Sequence, residues 1–111
     1  MDNNKNDKYY AHKIIENIDA IEKYVLGKSY EEFVSDGELI DAVMFRFVQL
    51  IENINNISSD FKLKNNRIPW GEIAGFRNGI VHEYGKTDFT IVYETACNDL
   101  NDLRNTFERI L

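Results

Sequence analysis

The chain has 111 residues, 43% of them hydrophobic and 29% charged, which suits one globular all-α domain spanning residues 1–111. Its net charge of −6 argues against gripping long nucleic acid by positive charge alone, and its single cysteine, Cys97, excludes a disulfide framework within the chain. The start "MDNNKNDKYY" is polar, and no apolar run approaches the ~18 residues of a membrane span, so the expected setting is a reducing cytoplasm without membrane contact.

The first helix is expected from about Asp7 to Leu26. Tyr10, Ile14, Ile18, Ile21 and Val25 recur by threes and fours, and Gly27 follows as a stop. Ser29 to Glu32 has capping-box spacing and opens a short helical turn. Ser35 to Glu38 repeats that signature before the strongest helix, expected from about Asp36 to Phe61. Ile40, Val43, Phe47, Leu50, Ile54, Ile57 and Phe61 form its stripe, which Met44, Val48 and Ile51 widen. The apolar arc then spans roughly 180°, more than the ~100° of an ordinary surface helix. Either this is the central helix of a bundle, or part of the arc meets a second copy of the chain. "SSDFKLKNNR" follows as a polar, locally basic connection, and Pro69 suits the first position of a further helix. A last helix is expected from about Asp88 to Leu111, capped by Thr87 or Asp88, with Phe89, Val92, Ala96, Leu100, Leu103, Phe107 and Ile110 on one face. The sum is an antiparallel bundle of four main helices plus a short helical turn.

The segment that carries chemistry is "PWGEIAGFRNGIVHEYG", residues 69–85. Trp70, Ile73, Phe76 and Ile80 mark an apolar side, with Arg77 and Tyr84 among them. Gly71, Gly75 and Gly79 line the opposite side, where Asn78 and His82 stand one turn apart. Each glycine costs a helix about 1 kcal/mol against alanine, so something must make use of the bare face. The simpler expectation for Gly71 and Gly75 is close helix packing inside the bundle; Gly79, just before His82, leaves access to a site. Arg77 offers a fork of donors that matches phosphate oxygens, His82 a proton carrier, and Tyr84 a hydroxyl. On a straight helix Arg77 and His82 lie about 140° apart. They converge only if Arg77 bends around, if the helix ends near His82 (which Gly85 would permit), or if a second copy supplies part of the site. With His12 and His82 as the two histidines and one cysteine, no zinc set can be completed, and neither a metal nor another cofactor is expected.

This segment closely resembles the signature of HepT-like toxins, a branch of the HEPN superfamily. The motif there is Arg, four residues, His, one residue, Tyr, usually with Asn after the Arg; here it is Arg77, Asn78, His82 and Tyr84. "SYEEF" (29–33), "DAVMFRFVQLIENI" (41–54), the "IPW" start and "DFTIVYETACNDL" (88–100) follow in the family's order. Three departures stand out: glycines at 71 and 79, which the family's pattern does not include, Glu83 where a small residue is common, and "IEN" (51–53) where "GEA" is usual. The resemblance implies a small all-α homodimer whose two motif helices form a shared cleft. It implies metal-independent RNA cleavage, as the toxin of a type VII toxin–antitoxin pair, with Arg77 and His82 catalytic and Asn78 supporting. It also implies silencing by a cognate nucleotidyltransferase of the MntA type, which transfers AMP to Tyr84. Against the acidic net charge, Lys62, Lys64 and Arg67 are expected to form a local basic rim for RNA, with a structured RNA such as tRNA as the target. An alternative of a different class makes the chain a non-catalytic helical module that binds a nucleotidyltransferase partner, or a nucleotide, through the same cleft.

Overall fold

The computed structural model describes residues 6–111; the first five residues of the polar start lie outside them. Among the described residues all regular structure is helical. α1 (Asp7–Val25) begins where the Asn6 side chain accepts the Tyr9 N–H at 3.0 Å. Ile14, Ile18, Ile21 and Val25 are buried as their spacing predicts, and Gly27 ends the segment at φ 73°, a conformation L side chains rarely adopt. α2 (Tyr30–Val34) carries the expected capping box. The Ser29 N–H donates to Glu32 Oε1 at 2.9 Å, and the Glu32 N–H donates to Ser29 Oγ at 3.1 Å. The Ser29 backbone N–H, and after it the Ser29 hydroxyl, hold the Glu32 carboxyl below its ordinary range.

α3 (Gly37–Asn55) departs from expectation at both ends. Its N-cap is Asp36, whose carboxylate accepts the Leu39 N–H at 3.1 Å, while the Ser35 hydroxyl closes α2 by donating to the Glu31 carbonyl at 2.7 Å. The helix stops at Asn55 instead of running to Phe61, and a separate α4 (Ser59–Lys64) follows within the stretch expected as a connection. The break has a local cause. Ser58 caps α4 through its Oγ and also gives its N–H and hydroxyl to the Asp7 carboxylate, at 2.8 and 2.6 Å. Ile57 stays buried and Phe61 stacks on Phe107 at 5.4 Å, so the apolar rhythm continues across a corner.

α5 (Trp70–His82) is preceded by Pro69, one position outside the helix. A 3₁₀ turn (Tyr84–Lys86) follows. The last helix begins as α6 (Phe89–Glu94), with the Asp88 carboxylate accepting the Thr90 N–H at 2.9 Å, and ends as α7 (Leu100–Glu108). Between them Thr95–Asp99 widens into a π turn, which fits extra residues into the helix without breaking it.

α3 is central. α1 packs along it, α5 packs on it from another side, and α7 with the π turn closes over α1. The Arg104 guanidinium on α7 ties that helix to Asp19 and to Glu22, the latter at 2.6 Å, both on α1. Phe33, Phe47 and Phe107 are the largest fully buried side chains. The wide arc of α3 is used up inside the chain: Ile40, Val43, Met44, Phe47, Leu50, Ile51 and Ile54 are buried and Val48 half-buried. That favours the central-helix alternative over the one in which the arc itself meets a second copy.

A candidate active site on the seam of α3 and α5

α5 buries one side only. Phe76 packs on Phe47 with ring centroids 5.1 Å apart, Ile80 is buried, and Trp70 and Ile73 are half-buried against the core. On the opposite side the glycines meet no other element among the described residues. A Cβ added at Gly71, Gly75 or Gly79 would find no atom within 4 Å. The expectation of close intra-bundle packing at Gly71 and Gly75 is therefore corrected: the glycine face is open.

Two carboxylates of α3 reach across the seam to motif residues. The Arg77 Nε–H donates to Glu52 Oε1 at 2.6 Å, and the Tyr84 hydroxyl donates to the Asp41 carboxylate in a short hydrogen bond. The pairing of 41 with 84 and of 52 with 77 shows that α3 and α5 run antiparallel. Asp41 and Glu52 are eleven residues apart, which returns α3 to within about 20° of the same face. Sequence reasoning missed both. Their return to one face of α3, eleven positions apart, was the available signal. Along the same seam Phe45, Val81 and Tyr84 are 59%, 45% and 41% exposed, an apolar strip beside the polar pairs.

Arg77 is half-buried, with its side chain 28% exposed. Its Nη1 donates to Asn78 Oδ1 at 3.2 Å. Asn78 lies within about 40° of His82 on the helix, so this contact turns the end of the guanidinium from the α3 side toward the His82 face. The guanidinium is thus drawn part of the way round the helix. His82 is exposed at the last position of α5, with no hydrogen bond or ion pair among the described residues. The helix ends there, but not through Gly85: Glu83 holds the end at φ −137°, and Gly85 has no positive φ. The Tyr84 phenol is pushed up to about 12, first by burial and then by the hydrogen bond and charge of Asp41. It stays protonated at neutral pH, and a reaction at its oxygen requires an acceptor for the proton, which the Asp41 carboxylate supplies by position.

Lys62, Lys64 and Arg67 cluster at the other end of α5, near Trp70, about 18 Å along the helix axis from His82. Arg67 pairs with Asp102 at 2.9 Å and bonds Thr106 at 3.1 Å, Lys64 pairs with Asp60 at 3.2 Å, and Lys62 stands 5.9 Å from the centre of the Trp70 ring. Much of the expected rim is thereby balanced by local acids. Lys86, in the 3₁₀ turn after Tyr84, is exposed and closer to the motif in sequence. A groove of about 430 Å³ floored by Phe47, Leu50, Ile73, Phe76 and Leu103 opens elsewhere between α3, α5 and α7, and Arg77, Asn78, His82 and Tyr84 do not line it. Among the described residues no group of three or more His, Cys, Asp or Glu side chains is placed to hold a metal ion.

The family described as ribonuclease HepT-like matches residues 14–110. The chain belongs to that family. A protein of Caldanaerobacter subterraneus subsp. tengcongensis named "Putative RNase" is 30% identical over 107 residues, covering 96% of each chain. One of Thermococcus cleftensis named "Probable ribonuclease HepT" is 30% identical over 106 residues, again 96% of each. No solved structure matches at the same stringency. The all-α architecture agrees with that membership, and the match spans α3, α5 and the segment from Arg77 to Tyr84. No helix among the described residues is long and apolar enough to cross a membrane.

Proposed function

We propose that this HepT-like chain is a metal-independent endoribonuclease and the toxin of a toxin–antitoxin pair, working as a cytoplasmic homodimer of single-domain protomers. The observation that carries the reading is the Arg77 side chain, anchored by Glu52 at Nε and turned by Asn78 toward the His82 face. In the reaction the RNA 2′-hydroxyl attacks the adjacent phosphorus. An O2′–P bond forms, the P–O5′ bond breaks, the 5′-oxygen leaves with a proton, and a cyclic 2′,3′-phosphate remains. Arg77 stabilises the charge on the phosphoryl oxygens with donors set before the reaction begins. His82 moves one of the two protons, and Asn78 orients Arg77 or the ribose. Lys86, with Lys62 where its charge is not balanced, supports the RNA against the acidic whole. Purified chain incubated with total bacterial RNA in the presence of a chelator is expected to yield fragments ending in cyclic phosphate. Undegraded RNA from a folded chain would overturn the reading and leave the alternative of a non-catalytic module that binds a nucleotidyltransferase or a nucleotide.

Silencing acts at Tyr84. A cognate nucleotidyltransferase carrying a nucleoside triphosphate presents its α-phosphate to the Tyr84 oxygen; the Oη–P bond forms, pyrophosphate leaves, and the phenolic proton passes to Asp41. The added phosphate then competes for Arg77 with the phosphate of RNA. Co-expression with such an enzyme is expected to add the mass of one or more AMP groups, by intact-mass measurement, and Tyr84→Phe is expected to abolish the gain. Neutralisation without any adduct would mean that the partner silences by binding alone.

A further inference from the structure

We infer that Glu52 is a positioning residue of the cleavage site, holding Arg77 by its Nε edge so that the rest of the guanidinium is fixed for a phosphate. This rests on the reading of Arg77 as the group that meets the scissile phosphate.

An arginine carries five N–H donors in a rigid fork. Here one goes to Glu52 Oε1 at 2.6 Å and one to Asn78 Oδ1 at 3.2 Å, which leaves three, including both on Nη2. The division is what a phosphate site needs. The carboxylate takes the inner edge, where the side chain leaves the helix, and the outer edge stays available. Without that anchor the side chain has several rotamers and, by its place on the helix, points about 140° from His82. With it, one end is pinned to α3 and the other is turned by Asn78 toward the His82 face.

A merely structural ion pair predicts something different. Glu52 is 45% exposed and Arg77 28%, so the pair is partly solvated and contributes little to folding. Glu52 also places a negative charge beside a site for an anion. That weakens ground-state attraction for RNA and makes sense only if orientation is worth more than charge. The opposing effects give the inference its signature: removing the carboxylate should loosen catalysis while leaving RNA binding unchanged or tighter.

The test uses the full chain, with cleavage of total bacterial RNA measured at limiting and saturating RNA. Glu52→Ala is expected to lower kcat by about 100-fold, the scale on which small misplacement of a reacting group acts. KM should stay the same or fall, and melting should change little. Glu52→Gln, whose amide oxygen still accepts from Nε, should recover most of the rate, whereas Glu52→Asp, one methylene shorter, should not. Independently of activity, the Arg77 Nε–H resonance, assigned by its disappearance in Arg77→Lys, should be protected from exchange with water in the wild type and in Glu52→Gln but not in Glu52→Ala. An unchanged kcat in Glu52→Ala, or a fall in kcat accompanied by a higher KM and a lower melting temperature, overturns the inference while Arg77→Ala remains inactive. An Arg77→Ala chain that still cuts overturns the reading of the site, and the inference with it.

Discussion

Arg77→Ala and His82→Ala are each expected to abolish RNA cleavage while leaving the fold in place. The two losses have different origins. In the proposed mechanism Arg77 supplies preorganised donors where charge builds on phosphorus, and loss of one such donor set costs about 10²–10³ in rate. His82 moves a proton, which is worth about 10²–10⁴. Neither residue carries much of the structure. His82 is exposed at the end of α5, and a surface substitution of that kind changes stability by about 0.5 kcal/mol or less. Arg77→Ala removes one partly exposed ion pair, worth about 1 kcal/mol at most. The measurement is cleavage of total bacterial RNA beside a thermal melt of each variant. A variant that loses its melting transition together with its activity would mark that residue as structural. His82 lacks a partner among the described residues, so in the proposed mechanism substrate or a second copy would complete its geometry. The His82 loss should therefore appear mainly in kcat, and the Arg77 loss in both kcat and RNA affinity.

Most of the fold was legible because its core follows simple helical periods. Ile14, Ile18 and Ile21 of α1, and Val43, Phe47, Leu50 and Ile54 of α3, are buried where three-and-four spacing places them. The corner between α3 and α4 was not legible, since Ile57 and Phe61 keep the period while the backbone turns. The turn is made by the cap of Ser58 and its bonds to Asp7, a contact between residues 51 positions apart that no local pattern encodes. The π turn at Thr95–Asp99 was invisible for the same reason: Val92, Ala96, Leu100 and Leu103 still read as one stripe. At the site, the motif residues could be named from sequence, but their support could not. Nothing local marks Glu52 and Asp41 as partners of Arg77 and Tyr84, and the pairing appears only when α5 is laid antiparallel beside α3. The partners of the basic rim were hidden as well. Lys64 and Arg67 looked available because Asp60 and Asp102, which balance them, are either a turn away or on another helix.

The glycine face of α5 permits a second experiment of large effect, because stability and function are expected to move in opposite directions. Gly71, Gly75 and Gly79 have helical backbone without positive φ, and an added Cβ meets no atom of another element among the described residues. Alanine at all three should therefore stabilise the single chain by about 3 kcal/mol, from helix propensity alone. For a domain of this size that raises the melting temperature by roughly 10 °C or more, measured in dilute solution where self-association contributes little. A sequence that forgoes so much stability on one exposed face has a use for the bare backbone. The proposed homodimer would supply one: a second α5 approaching along the glycines, with Asn78 and His82 of each copy brought to a shared cleft. Three methyl groups would hold the two helices apart. The triple variant is thus expected to melt higher, to sediment as one chain at micromolar concentrations where the wild type sediments as two, and to lose RNA cleavage. A stabilised variant that still pairs and still cuts would place the interface elsewhere. A variant that is not stabilised would show that something already packs on the glycines in the isolated chain. Glycine-to-alanine changes taken singly should divide the effect, with Gly79, one turn before His82, affecting cleavage more than Gly71 at the far end of the helix.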